Sequence, residues 1–405
     1  MDEDIGSSIG QRLREVRAWR GLSLRAAAGL AGFSAAYLSM IENEKSPVDK
    51  RSTLEALATA LRVSPGELTG QPYRLARPDD VQVRAEVAGL EVALTEPALE
   101  PHWRPDGRPW RQLAGDLAKL NTVHRPAADY ITQARLLPGL LDGLRGALAD
   151  SPGQRRAVLY GLLDAYHAAE ELTKSLGVPG LPHLAVLHAQ RVAEELDDPA
   201  ALGLAAWLRA IVLGGAGRER VLELCGRAID GLGGKLGDPS AAQMVGELHL
   251  CSALANAALH RGGDAAAHLA EAQRLAELQP ENAPDFGLVY FSPDNVGIWR
   301  VSIAVELGEF GRAREVARGV VLDHVPSAAR QAVYWSDLGR GMAADRSSPE
   351  DAVRALRRAE DISPHTVRNN PFVRETVTDL LRRTRRDDAV GRELRGLAYR
   401  MGIAG

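Results

Sequence analysis

The sequence predicts an all-α protein in two parts: a five-helix unit within the first seventy residues and a long array of paired helices after it. Three observations carry this expectation. Apolar residues recur at three- and four-residue spacing along the chain, and no defensible alternating strand pattern interrupts them. Aromatics make up only 5% of residues, with alanine and leucine in their place, a composition suited to packed helices rather than sheets. At 405 residues the chain exceeds one compact domain, so two units, or one unit plus a repeat array, is expected.

In the first unit, Ile9, Leu13 and Val16 lie at i, i+4 and i+7 and give one apolar stripe on a helix that stops at Gly21. Ser23 is placed to cap a second helix through "LRAAAGLA", whose Ala26, Ala27 and Ala28 permit close helix approach. Gly32 breaks the chain, Phe33 offers an apolar plug, and Ser34 caps a third helix. Two short helices across a glycine-containing turn form the helix-turn-helix plan. Ser52 is placed to cap a fourth helix carrying Leu54, Leu57 and Leu61, and Ser64 with Pro65 opens a fifth.

The third helix, "AAYLSMIEN", is unusual in what it presents outward. At about 100° per residue, Leu38 and Ile41 share the inward face, while Ala36, Ser39, Met40 and Asn43 point away, with Ala35 at the N-terminal tip. Small outward side chains let a helix sink into a major groove, where its N-terminal residues meet base edges. Ser34, Ala35, Ala36, Tyr37, Ser39, Met40 and Asn43 are the candidate groove-facing positions. Ala35 and Ala36 offer only methyl contact, suited to thymine, and Ser39 can bond several base edges. Such a surface reads sequence modestly, so affinity leans on phosphate contacts and dimerisation. Arg25, at a free helix N-terminus, and Lys45, Lys50 and Arg51, beyond the third helix, are the candidate phosphate partners.

The run "RLREVRAWRGLSLRAAAGLAGFSAAYLSMIENEKSPVDKRSTLEALATALRVSPGEL" resembles the XRE-type helix-turn-helix of phage-repressor-like regulators, with all five helices in order. The resemblance covers roughly the first seventy residues. It implies double-stranded DNA as partner and a structural Arg17–Glu42 pair inside the module. Two departures stand out. Leu24 replaces the usual glutamine at the head of the second helix, removing a polar DNA contact. Glu44 replaces the usual glycine after "EN", which requires either a left-handed residue or a longer helix, the former at about 1 kcal/mol.

Charge narrows the options. The net charge of −4 argues against coating nucleic acid by bulk electrostatics, so any DNA contact is local. Nine basic residues balance nine acidic ones in residues 1–70, leaving the first unit neutral. Cys225 and Cys251 are too few for a disulfide framework, which suits a reducing cytoplasm. The start, "MDEDIGSS", lacks an apolar core for a signal peptide, and the most apolar stretch, Gly203–Gly217, is broken by Arg209 and too short to span a bilayer. A cytoplasmic protein without membrane contact is expected.

Residues 71–110 read as a linker and connecting helix, marked by Pro72, Pro78 and the proline-rich "EPALEPHWRPDGRPW" with Trp103 and Trp110. From 111 to 405 the helices come in pairs. "MVGELHLCSALANAALHRGGDAAAHLAEAQRLAELQP" is a helix, a turn, a second helix and a proline; "NVGIWRVSIAVELGEFGRAREVARGVVLDHVP" and "ARQAVYWSDLGRGMAADRSSPEDAVRALRRAEDISP" repeat the plan. Two earlier pairs begin at "AVLYGLLDAYHAAEELTKSL" and "ALGLAAWLRAIVLGG". Small residues at the turn and a closing proline resemble degenerate tetratricopeptide (TPR) repeats. The whole then resembles actinobacterial XRE regulators with a C-terminal TPR-like region, most of all in "YFSPDNVGIWRVSIAVELGE". The resemblance implies an all-α fold: a five-helix phage-repressor-like domain followed by a TPR-like α-solenoid.

The first helix of each pair would line a concave groove suited to a peptide or small-molecule effector. Candidate lining residues are His249, Asn256, Asn295 and Trp299, since amides clamp peptide backbones and an indole covers an apolar group. The insertion "ENAPDFGLVYFSPD" is longer than a turn requires, so Tyr290 and Phe291 are candidate caps of that groove. No H-E-x-x-H appears, "GLGGKLGD" lacks the P-loop order, no nucleophile–base signature is present, and the two cysteines sit in apolar helices. No enzyme, metal or cofactor is expected. The expectation is a homodimeric, DNA-binding transcriptional regulator with a sensor array. The alternative is a TPR adaptor that holds another protein and binds DNA secondarily.

Overall fold

The computed structural model describes residues 8–71, 78–99, 107–150, 152–213, 217–345, 349–384 and 389–403. Among them there is no strand. The N-terminal module comprises α1 (Ile9–Trp19), α2 (Leu24–Leu30), α3 (Ala35–Glu42), α4 (Arg51–Leu61) and α5 (Pro65–Thr69). Serines open four of the five: Ser8, Ser23, Ser34 and Ser64 each accept a backbone N–H of the first turn. The fourth helix departs from expectation. It starts at Arg51, so Ser52 lies inside it, and Lys50 at the cap position makes no side-chain cap bond.

Ile9, Leu13, Leu38, Ile41, Leu57, Leu61 and Leu68 form this module's own core. Gly10 lets α1 touch α3: a Cβ there would lie 2.2 Å from the Ile41 carbonyl oxygen. Arg17 grips Glu42 with one guanidinium edge, Nε donating to Oε1 and Nη2 to Oε2 at 2.8 Å, and its Nη1 donates to the Leu22 carbonyl at 2.9 Å. Glu44 takes the left-handed conformation, φ 58°, so α3 stops at Glu42 rather than running on.

The expected linker is mostly a packed helix. In α6 (Pro78–Leu99), Val83, Val87, Leu90 and Leu94 recur at helical spacing and are buried against α8. Pro72 and Trp103 lie outside the described residues. After α7 (Trp110–Lys119) and α8 (Tyr130–Asp150) come five helix pairs, all at the predicted positions. They are α9 (Arg155–Ser175) with α10 (Leu181–Leu196), α11 (Pro199–Leu213) with α12 (Arg218–Leu232), and α13 (Pro239–Ala258) with α14 (Gly262–Glu277). The array continues with α15 (Pro293–Leu307) and α16 (Phe310–Ala317), then α17 (Ala328–Asp345) and α18 (Pro349–Ile362). It ends in α19 (Pro364–Arg368), α20 (Pro371–Arg383) and α21 (Ala389–Arg400). One hydrophobic core runs without a break from α6 to α15.

The array bends back on itself. The Tyr130 hydroxyl at the start of α8 bonds Thr366 in α19 at 3.1 Å, and the Ala328 N–H donates to the Pro126 carbonyl at 2.8 Å. The N-terminal module seats on this curve. Phe372 of α20 enters its core, Arg218 of α12 pairs with Glu55, and Gln71 donates to the Asn369 carbonyl at 2.8 Å.

A candidate nucleic-acid interface and a central cavity

The axes of α2 and α3 turn through 107°, within the range of DNA-binding helix-turn-helix pairs, across a four-residue turn containing Gly32 at φ 74°. Leu38 and Ile41 are buried beneath α3. Ala36, Met40 and Asn43 are exposed along its outer side, Ser34 is exposed at its tip, and Ala35 and Ser39 are half-buried. Asn43 folds its amide onto Ser39, donating to that residue's carbonyl at 2.8 Å and its hydroxyl at 3.3 Å. The outer face is thus small and polar at one end, and among the described residues no helix of the array covers Ala36, Met40 or Asn43.

The basic candidates divide into two sets. Arg25 and Lys45 are exposed. Lys50 and Arg51 turn toward the array: the Lys50 ammonium sits 5.9 Å from the Phe310 ring centre, and the Arg51 guanidinium 5.2 Å from that of Phe372. Arg51 also lies 3.5 Å from Glu306, a carboxylate with no exposed surface. Tyr37 is half-buried, edge-on to Phe33 at 5.3 Å, and burial pushes its phenol up. These three side chains serve the joint between the two parts because the chain leaving α3 runs directly onto α15, α17 and α20.

That joint is built from charge. Glu306 of α15 accepts the N–H groups of Arg51 and Ser52 at 3.1 and 2.8 Å, so the N-terminus of α4 is capped by a residue 255 positions away. Burial works against the Glu306 charge, but Arg51 and the two amides outweigh it and hold its carboxyl below the usual value. Arg340 of α17 donates to the Asp49 carbonyl, and Arg382 of α20 pairs with Glu44 at 2.5 Å. Glu375 of α20 accepts the Val48 N–H at 3.4 Å, and its burial pushes the carboxyl up to about 7.

Behind the joint lies a cavity of about 570 Å³. Its walls come from the first helices of successive pairs: His167 and Glu170 in α9, Trp207 and Ile211 in α11, Glu247 and Leu254 in α13, Trp299 in α15 and Arg330 in α17. Its roof is the N-terminal module, through Arg51, Leu54, Glu55, Pro65 and Thr69.

Three of the six residues expected to line or cap the groove meet here: Tyr290, Asn295 and Trp299. Asn295 is buried; its amide donates to the Val289 carbonyl at 3.0 Å and to Glu247 at 3.3 Å, and its oxygen accepts Arg330 Nε at 3.0 Å. Trp299 lies under the Arg330 guanidinium, 4.9 Å from ring centre to carbon. The other two expected wall residues lie elsewhere. His249 faces His268 of α14 at 2.8 Å, and Asn256 is buried with its amide on the Ser252 carbonyl of its own helix. The four-residue period carries both away from the face that bears Glu247, Cys251 and Leu254. Phe291 does not cap the groove either. It is buried against α13, where a Cβ on Gly246 would lie 1.9 Å from its ring.

Glu247, Glu306 and Arg330 were missed by the expectations. Their one sequence signal is a single charge inside an otherwise apolar run, as in "MVGELHL" and "SIAVELG". Cys225 and Cys251 are buried free thiols, and burial pushes both up. Among the described residues no group of three or more His, Cys, Asp or Glu could hold a metal ion, and no single helix is long and apolar enough to cross a membrane.

Comparison with known families matches residues 8–69 to a family described as a helix-turn-helix domain. No curated protein and no solved structure matches the chain. The protein carries an N-terminal helix-turn-helix domain of the DNA-binding, transcription-regulating kind, followed by a repeat-like helical array.

Proposed function

We propose that the protein is a sequence-specific transcriptional regulator of the XRE type, cytoplasmic and homodimeric, whose TPR-like array senses a small effector in the central cavity. The observation that carries this reading is the shared cavity: the inner helices of the array form its walls and α4 and α5 of the DNA-binding module form its roof. A ligand there touches both parts at once. It favours whichever arrangement of the module it fits better, and so alters how two recognition helices reach half-sites about one helical turn apart. With Ala36 and Met40 outward, α3 offers apolar contact and shape rather than many hydrogen bonds.

The test is fluorescence anisotropy of the full-length protein on fragments of its own genome against random competitor DNA at moderate salt. At least one fragment is expected to bind about 100-fold or more above competitor, and Ala36→Glu, which places a carboxylate in the groove, to abolish that preference. Equal affinity for every fragment overturns the regulator reading.

A further inference from the structure

We propose that the central cavity takes a small aromatic carboxylic acid, its carboxylate on the free edge of Arg330 and its ring between the indoles and aliphatic side chains of the wall. This rests on the effector-sensing reading above and adds the chemistry of the ligand.

Size comes first. A cavity of about 570 Å³ falls in the range of small-molecule sites, about 300–1,000 Å³. Its apolar lining includes Trp207, Ile211, Leu254 and Trp299, which suits a flat hydrophobic body.

The polar side is short of acceptors. Arg330 gives Nε to Asn295 and stacks on Trp299, but its Nη2 is buried without a hydrogen-bond partner. Among the described residues it has no ion-pair partner within 4.0 Å. Of the other charges around the cavity, Glu170 lies against Lys174 at 2.9 Å and Glu55 accepts from Arg218 at 2.9 Å, while Arg51 stands 3.5 Å from Glu306 with its Nη1 also buried and without a hydrogen-bond partner, a second donor short of an acceptor. Glu247 does not close the gap: its Oε1 accepts the Asn295 amide at 3.3 Å and makes no hydrogen bond or ion pair with Arg330, and burial pushes its carboxyl up. The Tyr290 hydroxyl is also buried without a partner. A guanidinium only donates and a phenol readily donates, so the missing group is an acceptor, and the guanidinium charge selects an anion. Tyr290, orphaned in the same cavity, offers the ligand a second hydrogen bond.

The probes are naphthylacetate, naphthylethanol and naphthylethylamine, which share a ring and differ in headgroup, titrated into the full-length protein by calorimetry at pH 7. The acid is expected to bind about tenfold or more tighter than the alcohol, and the amine more weakly than either. Arg330→Gln should bring the acid down to the alcohol, whose unchanged affinity reports an intact cavity. If Arg330→Gln loses the alcohol as well, Arg330→Lys decides, since it keeps the charge and should retain a preference for the acid. No binding of naphthylacetate at millimolar concentration, equal binding of acid and alcohol, or an acid preference that survives Arg330→Gln overturns the assignment. The sensing reading fails separately. If the acid binds but leaves affinity for operator DNA unchanged, the ligand chemistry holds and sensing does not. If the alcohol or amine binds best and shifts DNA affinity, sensing holds and the headgroup assignment does not.

Discussion

Arg17 and Glu42 show how a surface helix can carry a core carboxylate. Glu42 is buried on the inward side of α3, and its two oxygens meet the guanidinium fork of Arg17. Glu42→Ala leaves Arg17 half-buried and unmatched. It is expected to destabilise the N-terminal module by about 1.5–3 kcal/mol in chemical denaturation, with the array transition unmoved. Arg25 is the opposite case, an exposed cation beside the N-terminus of α2. Arg25→Ala should weaken binding to all DNA fragments about equally and lower the slope of log affinity against log salt by about one, measured by anisotropy across a salt series. A sequence-dependent loss would instead make Arg25 a base reader. The Arg17–Glu42 pair was legible through the family resemblance, and so was the place of Arg25 at a helix start, its contact with phosphate being what the salt series tests. Arg51 was not, because nothing local distinguishes a cation facing phosphate from one facing a carboxylate 255 residues away.

At the scale of the element, α4 is the informative helix. It has no cap of its own and takes one from Glu306, so its first turn is complete only when the module is seated. Glu306→Ala should cost the joint about 2–4 kcal/mol, seen as faster amide exchange at Arg51 and Ser52. Two carboxylates give the joint opposite pH dependences. Glu306 has a lowered folded value, so its contribution is present above the usual 4.5 and is lost as pH falls through that lowered value. Glu375 is raised from 4.5 to about 7, so its neutral form favours the seated state; that contribution is full below 4.5 and lost as pH rises through about 7. Protection of the Arg51 and Ser52 amides should therefore be greatest near pH 4.5 and decline from there to about pH 7. Glu375→Gln should remove the alkaline decline, and a decline that persists in that variant excludes Glu375 as its source.

For the whole molecule, the curve of the array makes the cavity. Five helix pairs alone would make an open trough; the returning α19 and α20 and the seated module turn it into a chamber with a roof. Because the roof is the helix-turn-helix module, the proposed sensing requires ligand and operator to be coupled reciprocally. Whatever factor the ligand changes in operator affinity, the operator changes in ligand affinity. Titrating naphthylacetate with and without bound operator checks the coupling: a shift in ligand affinity is expected, and equal affinity in the two titrations excludes it.

The sequence by itself determined the helices, their pairing, the internal core of the first module and the outward face of α3. Those features rest on periodicity, capping serines and glycine breaks, which act over a few residues. Only the tertiary structure decided which cations face solvent and which residues line the cavity, and it moved His249, Asn256 and Phe291 out of the expected groove. The physical reason is rotation. A helix turns its side chains by about 100° per residue, so a small error in where a stack packs exchanges wall for core. No local pattern records how far a superhelix bends before its end meets its beginning.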